Sequence, residues 1–237
     1  MNPSTVTQLV NEPSKEDEVL LQAALLLLTF TTGLIDAVSF LGLGHVFTAN
    51  MTGNIVFLGF AAAGAPGLSI GKSLVSLAAF LVGGIGGGRL AKTMASHAGS
   101  QWLITAVLTE AGFLLAAALA AIGFDVSTGN PASSLYAVIT LTAIAMGLRN
   151  ATVRRLAVPD LTTTVLTLTV TGIAADSSLA GGSNVRMARR LSSVGLMFAG
   201  ALVGALLLRM GPAVPLAMSG AIALIAAALF SSTTISR

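Results

Sequence analysis

The chain alternates between long apolar runs and short polar segments. A helix needs about 20 mainly apolar residues to cross the ~30 Å hydrocarbon core of a bilayer. Six runs reach or approach this length: Leu20–Gly42, Ile70–Leu90, Trp102–Gly123, Ser133–Asn150, Leu191–Leu208 and Val214–Phe230. The pattern therefore predicts an all-α polytopic membrane protein with six spanning helices.

Two further segments combine an apolar part with a polar opening. Phe47–Ala65 begins with a stretch rich in Thr and Asn, and Asp160–Ala175 begins with three consecutive threonines after Leu161. Each is interpreted as a polar, half-inserted helical segment, either re-entrant or a thin spanning helix. Irregular backbone at membrane depth is tolerated only where protein or a water-filled cavity covers it.

The composition narrows the class of protein. Hydrophobic residues make up 54% of the 237 residues, charged residues only 9%, and the mean hydropathy is +0.90. A soluble domain carries about 25% charged residues, so an ordinary soluble enzyme and a disordered tail are excluded. The net charge of +3 does not indicate nucleic-acid binding, because the cations lie in short groups between apolar runs. With no cysteine and two histidines, neither a metal nor a cofactor is expected.

The distribution of Lys and Arg selects a topology. If all eight segments crossed, the 12 cations would divide six to six between the two sides. If the two polar segments do not cross, only Lys72 and Arg209 lie opposite the other ten. Cytoplasmic loops carry the excess of Lys and Arg, so six spans with both termini in the cytoplasm are favoured. Residues 1–19 then form a polar cytoplasmic tail and residues 20–237 form one transmembrane domain. Arg149 is interpreted as a cytoplasmic anchor, with an anion ligand as the alternative.

The chain contains an internal repeat. Gly33-Leu34-Ile35-Asp36-Ala37 aligns with Gly147-Leu148-Arg149-Asn150-Ala151 at an offset of 114 residues, and the same ungapped offset places Gly86 on Gly200. Two halves, about 20–123 and 133–237, would each hold three spans and one polar segment. Because three is odd, the second half would enter from the opposite face, which gives the inverted-topology repeat of many transporters. The alternative is a parallel duplication with four spans in each half.

Two stretches carry a resemblance to a known family. TGLIDAVSFLGLGHVFTANMTGNIVFLG (Thr32–Gly59) and MGLRNATVRRLAVPDLTTTVLTLTVTG (Met146–Gly172) resemble the YoaK-like family of small bacterial integral membrane proteins of unknown function. The resemblance covers nearly the whole chain after residue 20. It implies a multi-pass protein of the bacterial inner membrane, and it supplies no substrate, cofactor or site.

Polar residues inside the predicted membrane region define the candidate site. Asp36 is the only acid in the first span, and an intramembrane carboxylate is a functional candidate by default. It would bind a cation or carry a proton, unless it merely reaches interfacial water or caps a neighbouring segment. The substrate-binding hypothesis comprises Asp36, Thr48, Asn50, Thr52, Asn54, Asn150, Thr162, Thr163 and Thr164. The structural alternative for the amides and hydroxyls is hydrogen bonding between helices.

Glu110 lies in the middle of the third predicted span, with no basic residue within four positions. It is interpreted either as a proton-coupling residue or as a neutral acid that is hydrogen-bonded to another helix. Glycines four residues apart allow helices to approach closely. The residues predicted to act in helix packing are Gly83, Gly84, Gly87, Gly88, Gly200 and Gly204.

These observations favour a transporter or channel for an unidentified small polar solute or ion, with its site between the two polar segments. The expected partners are the lipid bilayer and that solute, and not a nucleic acid. A homo-oligomer is left open, since the glycine-rich helix could pack against a second copy. The alternative is a non-transporting scaffold or regulatory subunit. A membrane-embedded enzyme is the third option, and no catalytic residue is proposed because no nucleophile or metalloprotease motif is present.

Overall fold

The computed structural model describes residues 14–94 and 101–233, which are helical apart from their connecting loops. The six long helices match the six predicted runs, and each is apolar and long enough to span a bilayer. They are α1 (Lys15–Ala37, continued by a π-helical turn, Val38–Gly42), α3 (Ile70–Thr93), α4 (Gln101–Ala120), α5 (Ala132–Leu156), α7 (Met187–Leu207) and α8 (Ala213–Ser231). Two short helices, α2 (Met51–Ala62) and α6 (Thr167–Ala175), lie in the predicted polar segments.

Helix α1 begins five residues before the predicted apolar run. Ser14 is its N-cap, and a capping box joins the side chain of Ser14 to the backbone N–H of Asp17 and the Asp17 carboxylate to the backbone N–H of Ser14. Acidic residues in the first turn also favour a helix start, because the N-terminal end of a helix carries a partial positive charge. The last residues of the predicted polar tail are therefore helical, and residues 1–13 lie outside the described part of the chain.

Helices α2 and α6 are too short to cross a bilayer. They have 12 and 9 residues, which at about 1.5 Å per residue gives roughly 18 and 14 Å against a hydrocarbon core of about 30 Å. A thin spanning helix in either segment would need further helical residues, and the flanking residues are not helical.

Two hydrophobic clusters show how the long helices are oriented. One cluster joins Leu25 near the start of α1 to Val153 near the end of α5. The other joins Val38, at the far end of α1, to Leu135 at the start of α5. Thus α1 and α5 run in opposite directions. The first residues of α4 belong to the first cluster, so α4 runs in the same direction as α1. The last residues of α8 belong to that cluster, so α8 runs in the same direction as α5.

This arrangement bears on the topology. If α2 and α6 crossed the membrane, α1 and α5 would be separated by three full crossings and would run parallel. The observed antiparallel pair is the arrangement expected when only the six long helices cross and their directions alternate.

Glycines bring the helices into close contact. Helix α7 packs on α1, where an added Cβ on Gly204 would lie 3.0 Å from the Leu34 carbonyl oxygen. Helix α3 packs on α5, where a Cβ on Gly87 would lie 3.0 Å from the Leu148 carbonyl oxygen. Gly200 and Gly83 are tighter still, since a Cβ at either would overlap the backbone of the facing helix.

The other predicted packing glycines differ. Gly84 faces α5 more loosely, 3.9 Å from the Gly147 carbonyl oxygen, and a Cβ at Gly88 would meet nothing within 4 Å. Gly88 is therefore not a packing position among the described residues. Gly86, which the ungapped offset aligns with Gly200, likewise faces open space, whereas Gly83 lies against the backbone of Ile144 and Gly200 against that of Phe30.

Candidate functional site

A cavity of about 400 Å³ is lined by residues from both predicted polar segments. We call it the Asp36 cavity. Of the predicted binding residues it brings together Asp36, Asn50, Thr52 and Thr164. Its full lining consists of Asp36, Asn50, Thr52, Gly53, Val56, Phe57, Thr164, Val165, Leu166, Thr167 and Met197. The lining thus combines a carboxylate, an amide and hydroxyl groups with apolar side chains.

Asp36 reaches this cavity from the last turn of α1. Its side chain is half-buried, and its Oδ1 is enclosed without a hydrogen-bond partner among the described residues. A buried acceptor that lacks a partner costs about 1–3 kcal/mol, and more when it is charged. The position is therefore one at which a bound solute or proton would supply a missing interaction.

Two helix N-termini border the same cavity. Asn50 caps α2, and its Oδ1 accepts a hydrogen bond of 3.3 Å from the Gly53 backbone N–H. Helix α6 starts at Thr167 with no side-chain cap. Each N-terminus carries a partial positive charge, so polarised N–H groups and one carboxylate face a common space.

Asn150 does not line the Asp36 cavity, but it is hydrogen-bonded to Thr164, which does. The Thr164 hydroxyl donates a 2.7 Å hydrogen bond to Asn150 Oδ1, and Asn150 Nδ2 donates to the Met146 carbonyl oxygen at 2.8 Å. A second cavity of about 430 Å³ is lined by Asn150, Arg154, Thr162 and Thr164 among others, and we call it the Arg154 cavity. Thr164 lines both cavities, so the Asn150–Thr164 hydrogen bond lies where they meet.

Asn54 has no free hydrogen-bonding group to offer a solute. It is fully buried, its Oδ1 accepts from the Phe47 backbone N–H at 2.9 Å, and its Nδ2 donates to the Phe47 carbonyl oxygen at 2.5 Å and to Ser76 at 3.1 Å. The Ser76 hydroxyl also donates to the Phe47 carbonyl oxygen at 2.7 Å. These bonds fix the loop before α2 onto α2 and α3, which is the interhelical role that the sequence left as an alternative.

The remaining predicted threonines lie beside the cavity rather than in its wall. Thr48 and Thr163 are buried, and neither Oγ1 has a partner among the residues the structure describes. Thr163 also has a positive φ of 59°, which is rare for a β-branched residue. Thr162 donates to the Val165 carbonyl oxygen at 2.6 Å and faces the Arg154 cavity.

Glu110 and Arg149 form an ion pair in the middle of the helix bundle. Each side chain is only 1% exposed. Arg149 Nε lies 3.0 Å from Glu110 Oε1, and one Nη2–H donates to the same oxygen. The interpretation of Arg149 as a cytoplasmic anchor was therefore wrong. One interpretation of Glu110 was a hydrogen bond to another helix. That bond is present, and its donor is the cationic side chain of Arg149.

All five N–H donors of Arg149 are used. Besides the two bonds to Glu110, Nη1 donates to the Leu28 carbonyl oxygen at 2.7 Å and to Thr32 at 2.8 Å, and Nη2 donates to Thr31 at 2.8 Å. The pair thereby ties α1, α4 and α5 together. Sequence reasoning missed it because the partners are 39 residues apart on different helices. The available signal was an acid and a base, each within an apolar run.

A second buried cation lies at the start of α7. Arg190 is 6% exposed and forms ion pairs of 3.1 Å with Asp160 and 2.7 Å with Asp176. It also donates to the Gly172 carbonyl oxygen at 2.6 Å. The sequence indicated only a cytoplasmic charge here, but Arg190 holds both ends of the polar segment that contains α6.

No cluster of three or more His, Cys, Asp or Glu side chains that could hold a metal ion occurs in residues 14–94 and 101–233. The polar groups of the Asp36 cavity are one carboxylate, one amide and hydroxyls. These groups can donate and accept hydrogen bonds.

The six apolar helices define a multi-pass α-helical membrane protein. The chain belongs to a family described as a protein of unknown function (DUF1275), whose model matches residues 24–229. It is 34% identical over 155 residues to the UPF0700 transmembrane protein YoaK of Bacillus subtilis (strain 168), and this match covers 64% of the chain and 65% of that relative. The resemblance to a YoaK-like family is thus confirmed. No solved structure matches the chain.

Proposed function

We propose that this protein transports a small polar solute across the bacterial cytoplasmic membrane and that the solute binds in the Asp36 cavity. One observation carries the proposal: a single cavity collects polar residues from two segments that lie more than 100 residues apart, around a carboxylate with an unpartnered oxygen. Transporter sites typically lie between two structural repeats and are formed by interrupted helices whose N-termini face the substrate.

An inverted repeat is supported by duplicated contacts. The Leu34 carbonyl oxygen of α1 faces Gly204 of α7, and the Leu148 carbonyl oxygen of α5 faces Gly87 of α3, each at 3.0 Å from the added Cβ. Leu148 follows Leu34 by 114 residues, whereas Gly204 follows Gly87 by 117. The repeat therefore needs a gap of three residues between the polar segment and the following span. The opposite directions of α1 and α5 favour inversion over parallel duplication.

The charge distribution still supports cytoplasmic termini. Because Arg149 is committed to the buried ion pair, nine cations rather than ten remain on the predicted cytoplasmic side, against Lys72 and Arg209 on the other. The excess of Lys and Arg therefore stays on the predicted cytoplasmic side. The proposed re-entrant segments would then approach the Asp36 cavity from opposite faces of the membrane.

Alternating access follows from the repeat. Asn150 and Thr164 are 114 residues after Asp36 and Asn50, respectively. The later pair is hydrogen-bonded and its Thr164 lines both cavities, whereas no hydrogen bond joins the earlier pair in the described structure. We infer that, during the transport cycle, the hydrogen bond of the later pair opens and a hydrogen bond forms in the earlier pair. Asn50 would donate to Asp36 when the Asn150–Thr164 bond opens, and the solute would leave through the Arg154 cavity.

The test is uptake by proteoliposomes from a bacterial metabolite extract, with mass spectrometry of the contents after washing. The wild-type protein is expected to accumulate at least one polar solute relative to empty liposomes. Asp36→Asn and Asn50→Ala are expected to lose this uptake, while Thr109→Ala, a change at an exposed position of α4 that does not line the Asp36 cavity, keeps it. Undiminished uptake by both site variants would contradict the proposed site, and absence of any accumulated solute with folded protein would contradict transport.

A further inference from the structure

We propose that the solute carries a protonated amine and that its ammonium group binds Asp36. This inference rests on the proposed function, since it names the chemical class of the solute in the same cavity. It is carried by the charge balance of the buried side chains and by the chemistry of the cavity wall.

The charge balance leaves Asp36 without a counter-ion. Arg149 attracts Asp36 electrostatically, but all five of its N–H groups already donate to Glu110, Thr31, Thr32 and the Leu28 carbonyl oxygen. The second buried cation, Arg190, is paired with Asp160 and Asp176. Each buried arginine thus has its own acid partner, and within the described residues Asp36 forms no ion pair.

The cavity wall favours a cation of the ammonium type. None of the residues that line the cavity is Lys, Arg or His, so no basic side chain there would repel a cation or attract an anion. An ammonium group has three N–H donors. Besides Asp36, the side-chain acceptors in the lining are the oxygens of Asn50, Thr52, Thr164 and Thr167.

The size and apolar part of the cavity argue against a bare inorganic ion. A volume of about 400 Å³ lies within the ~300–1,000 Å³ range of small-molecule sites. Phe57 lines the cavity and is stacked on Phe47 with ring centroids 5.7 Å apart. Together with Val56, Leu166 and Met197 it provides an apolar surface, and an aromatic ring near an organic cation adds an attractive cation–π interaction. The solute should therefore have a hydrocarbon body.

The helix N-termini at the cavity allow the solute to carry a carboxylate in addition to its ammonium group. The starts of α2 and α6 border the cavity, and their partial positive charge would favour a carboxylate elsewhere on the solute. A simple amine and an amino acid share the ammonium group on which the proposal depends. The experiment therefore includes both.

The test is calorimetric titration of the purified full-length protein in detergent with four probes of similar length. These are n-butylamine, 2-aminopentanoic acid, pentanoate and 1-butanol, each to about 50 mM, which reaches the weak-binding range. At least one amine is expected to bind, and pentanoate and 1-butanol are not. Asp36→Asn should weaken amine binding about tenfold or more, because a charge-assisted hydrogen bond is lost. Glu16→Gln, which removes an exposed acid at the start of α1, should leave it unchanged.

Three results would overturn the proposal: pentanoate or 1-butanol binding as tightly as the amines, amine binding that Asp36→Asn does not weaken, or no amine binding by protein that is folded by circular dichroism. Asn150 occupies the equivalent position in the second half, so Asn is expected to fit at position 36. Asp36→Glu, which keeps the charge, should retain amine binding better than Asp36→Asn. Amine binding without uptake in proteoliposomes would contradict transport but leave the ammonium site standing. Uptake of a neutral or anionic solute would contradict the ammonium site but leave transport standing.

Discussion

Replacing Glu110 by glutamine tests the buried ion pair most sharply. Glutamine has nearly the same shape as glutamate but no charge, so the packing of α4 against α5 is preserved. Arg149 would then keep its bonds to Thr31, Thr32 and the Leu28 carbonyl oxygen but lose its counter-ion at a site where it is 1% exposed.

The expected loss of stability is large. Removing one partner of a buried ion pair costs about 3–5 kcal/mol, since an uncompensated charge is left behind. For a chain of this size 1 kcal/mol corresponds to a shift of about 2–4 °C in Tm. Glu110→Gln should therefore lower the Tm by about 10 °C, measured by thermal denaturation in detergent with a circular dichroism readout at 222 nm.

A double variant separates charge from packing. Glu110→Leu combined with Arg149→Met removes both charges, and such replacements are often neutral or stabilising. The two threonines keep partners in this variant, because Thr31 and Thr32 also donate to the Leu28 carbonyl oxygen at 2.9 and 3.1 Å. We expect the double variant to be clearly more stable than Glu110→Gln. A Glu110→Gln protein within about 0.5 kcal/mol of wild type, the usual range for exposed substitutions, would refute the reasoning.

Three further changes test other parts of the structure. Gly200→Val should prevent close packing of α7 on α1 and lower the Tm by several degrees. Gly88→Ala, at an open position, should leave the Tm unchanged or slightly raised. Equal effects of the two variants in the same thermal assay would contradict the assigned contacts. Asn54→Ala leaves the Phe47 peptide without two hydrogen bonds and should cost about 1–3 kcal/mol, and a cost near zero would show that water replaces Asn54. A disulfide between cysteines at positions 150 and 164 should stop uptake reversibly, with dithiothreitol restoring it, and uptake by the fully oxidised protein would argue against a gate there.

Much of the fold was predictable because hydropathy and charge act over whole segments. Each predicted run overlaps one long helix, since about 20 apolar residues in a bilayer have few alternatives to a helix. The boundaries were less predictable because they depend on local bonds. The start of α1 is set by the Ser14–Asp17 capping box, which lies in a segment with no apolar signal.

The site was predictable only in part. Asp36, Asn50, Thr52 and Thr164, which the sequence grouped as polar residues inside the membrane region, line one cavity. The sequence did not show that Asn54 bonds the backbone of Phe47 in the loop before α2. A sequence does not distinguish an asparagine that binds a solute from one that stabilises a loop. Long-range pairs such as Glu110–Arg149 depend on the rotation of each helix about its axis, and hydropathy does not fix this rotation.

The most direct test of the account is the membrane sidedness of the loops around α2 and α6. The chain has no native cysteine, so single cysteines can replace the exposed residues His45, Pro66, Ala157 and Ser183 and be labelled in intact cells with a membrane-impermeant maleimide. We predict that cysteines at 45 and 66 are labelled from outside and those at 157 and 183 only after permeabilisation. If the two members of either pair were labelled from opposite sides, the segment between them would span the membrane, and the inverted-repeat transporter would be contradicted.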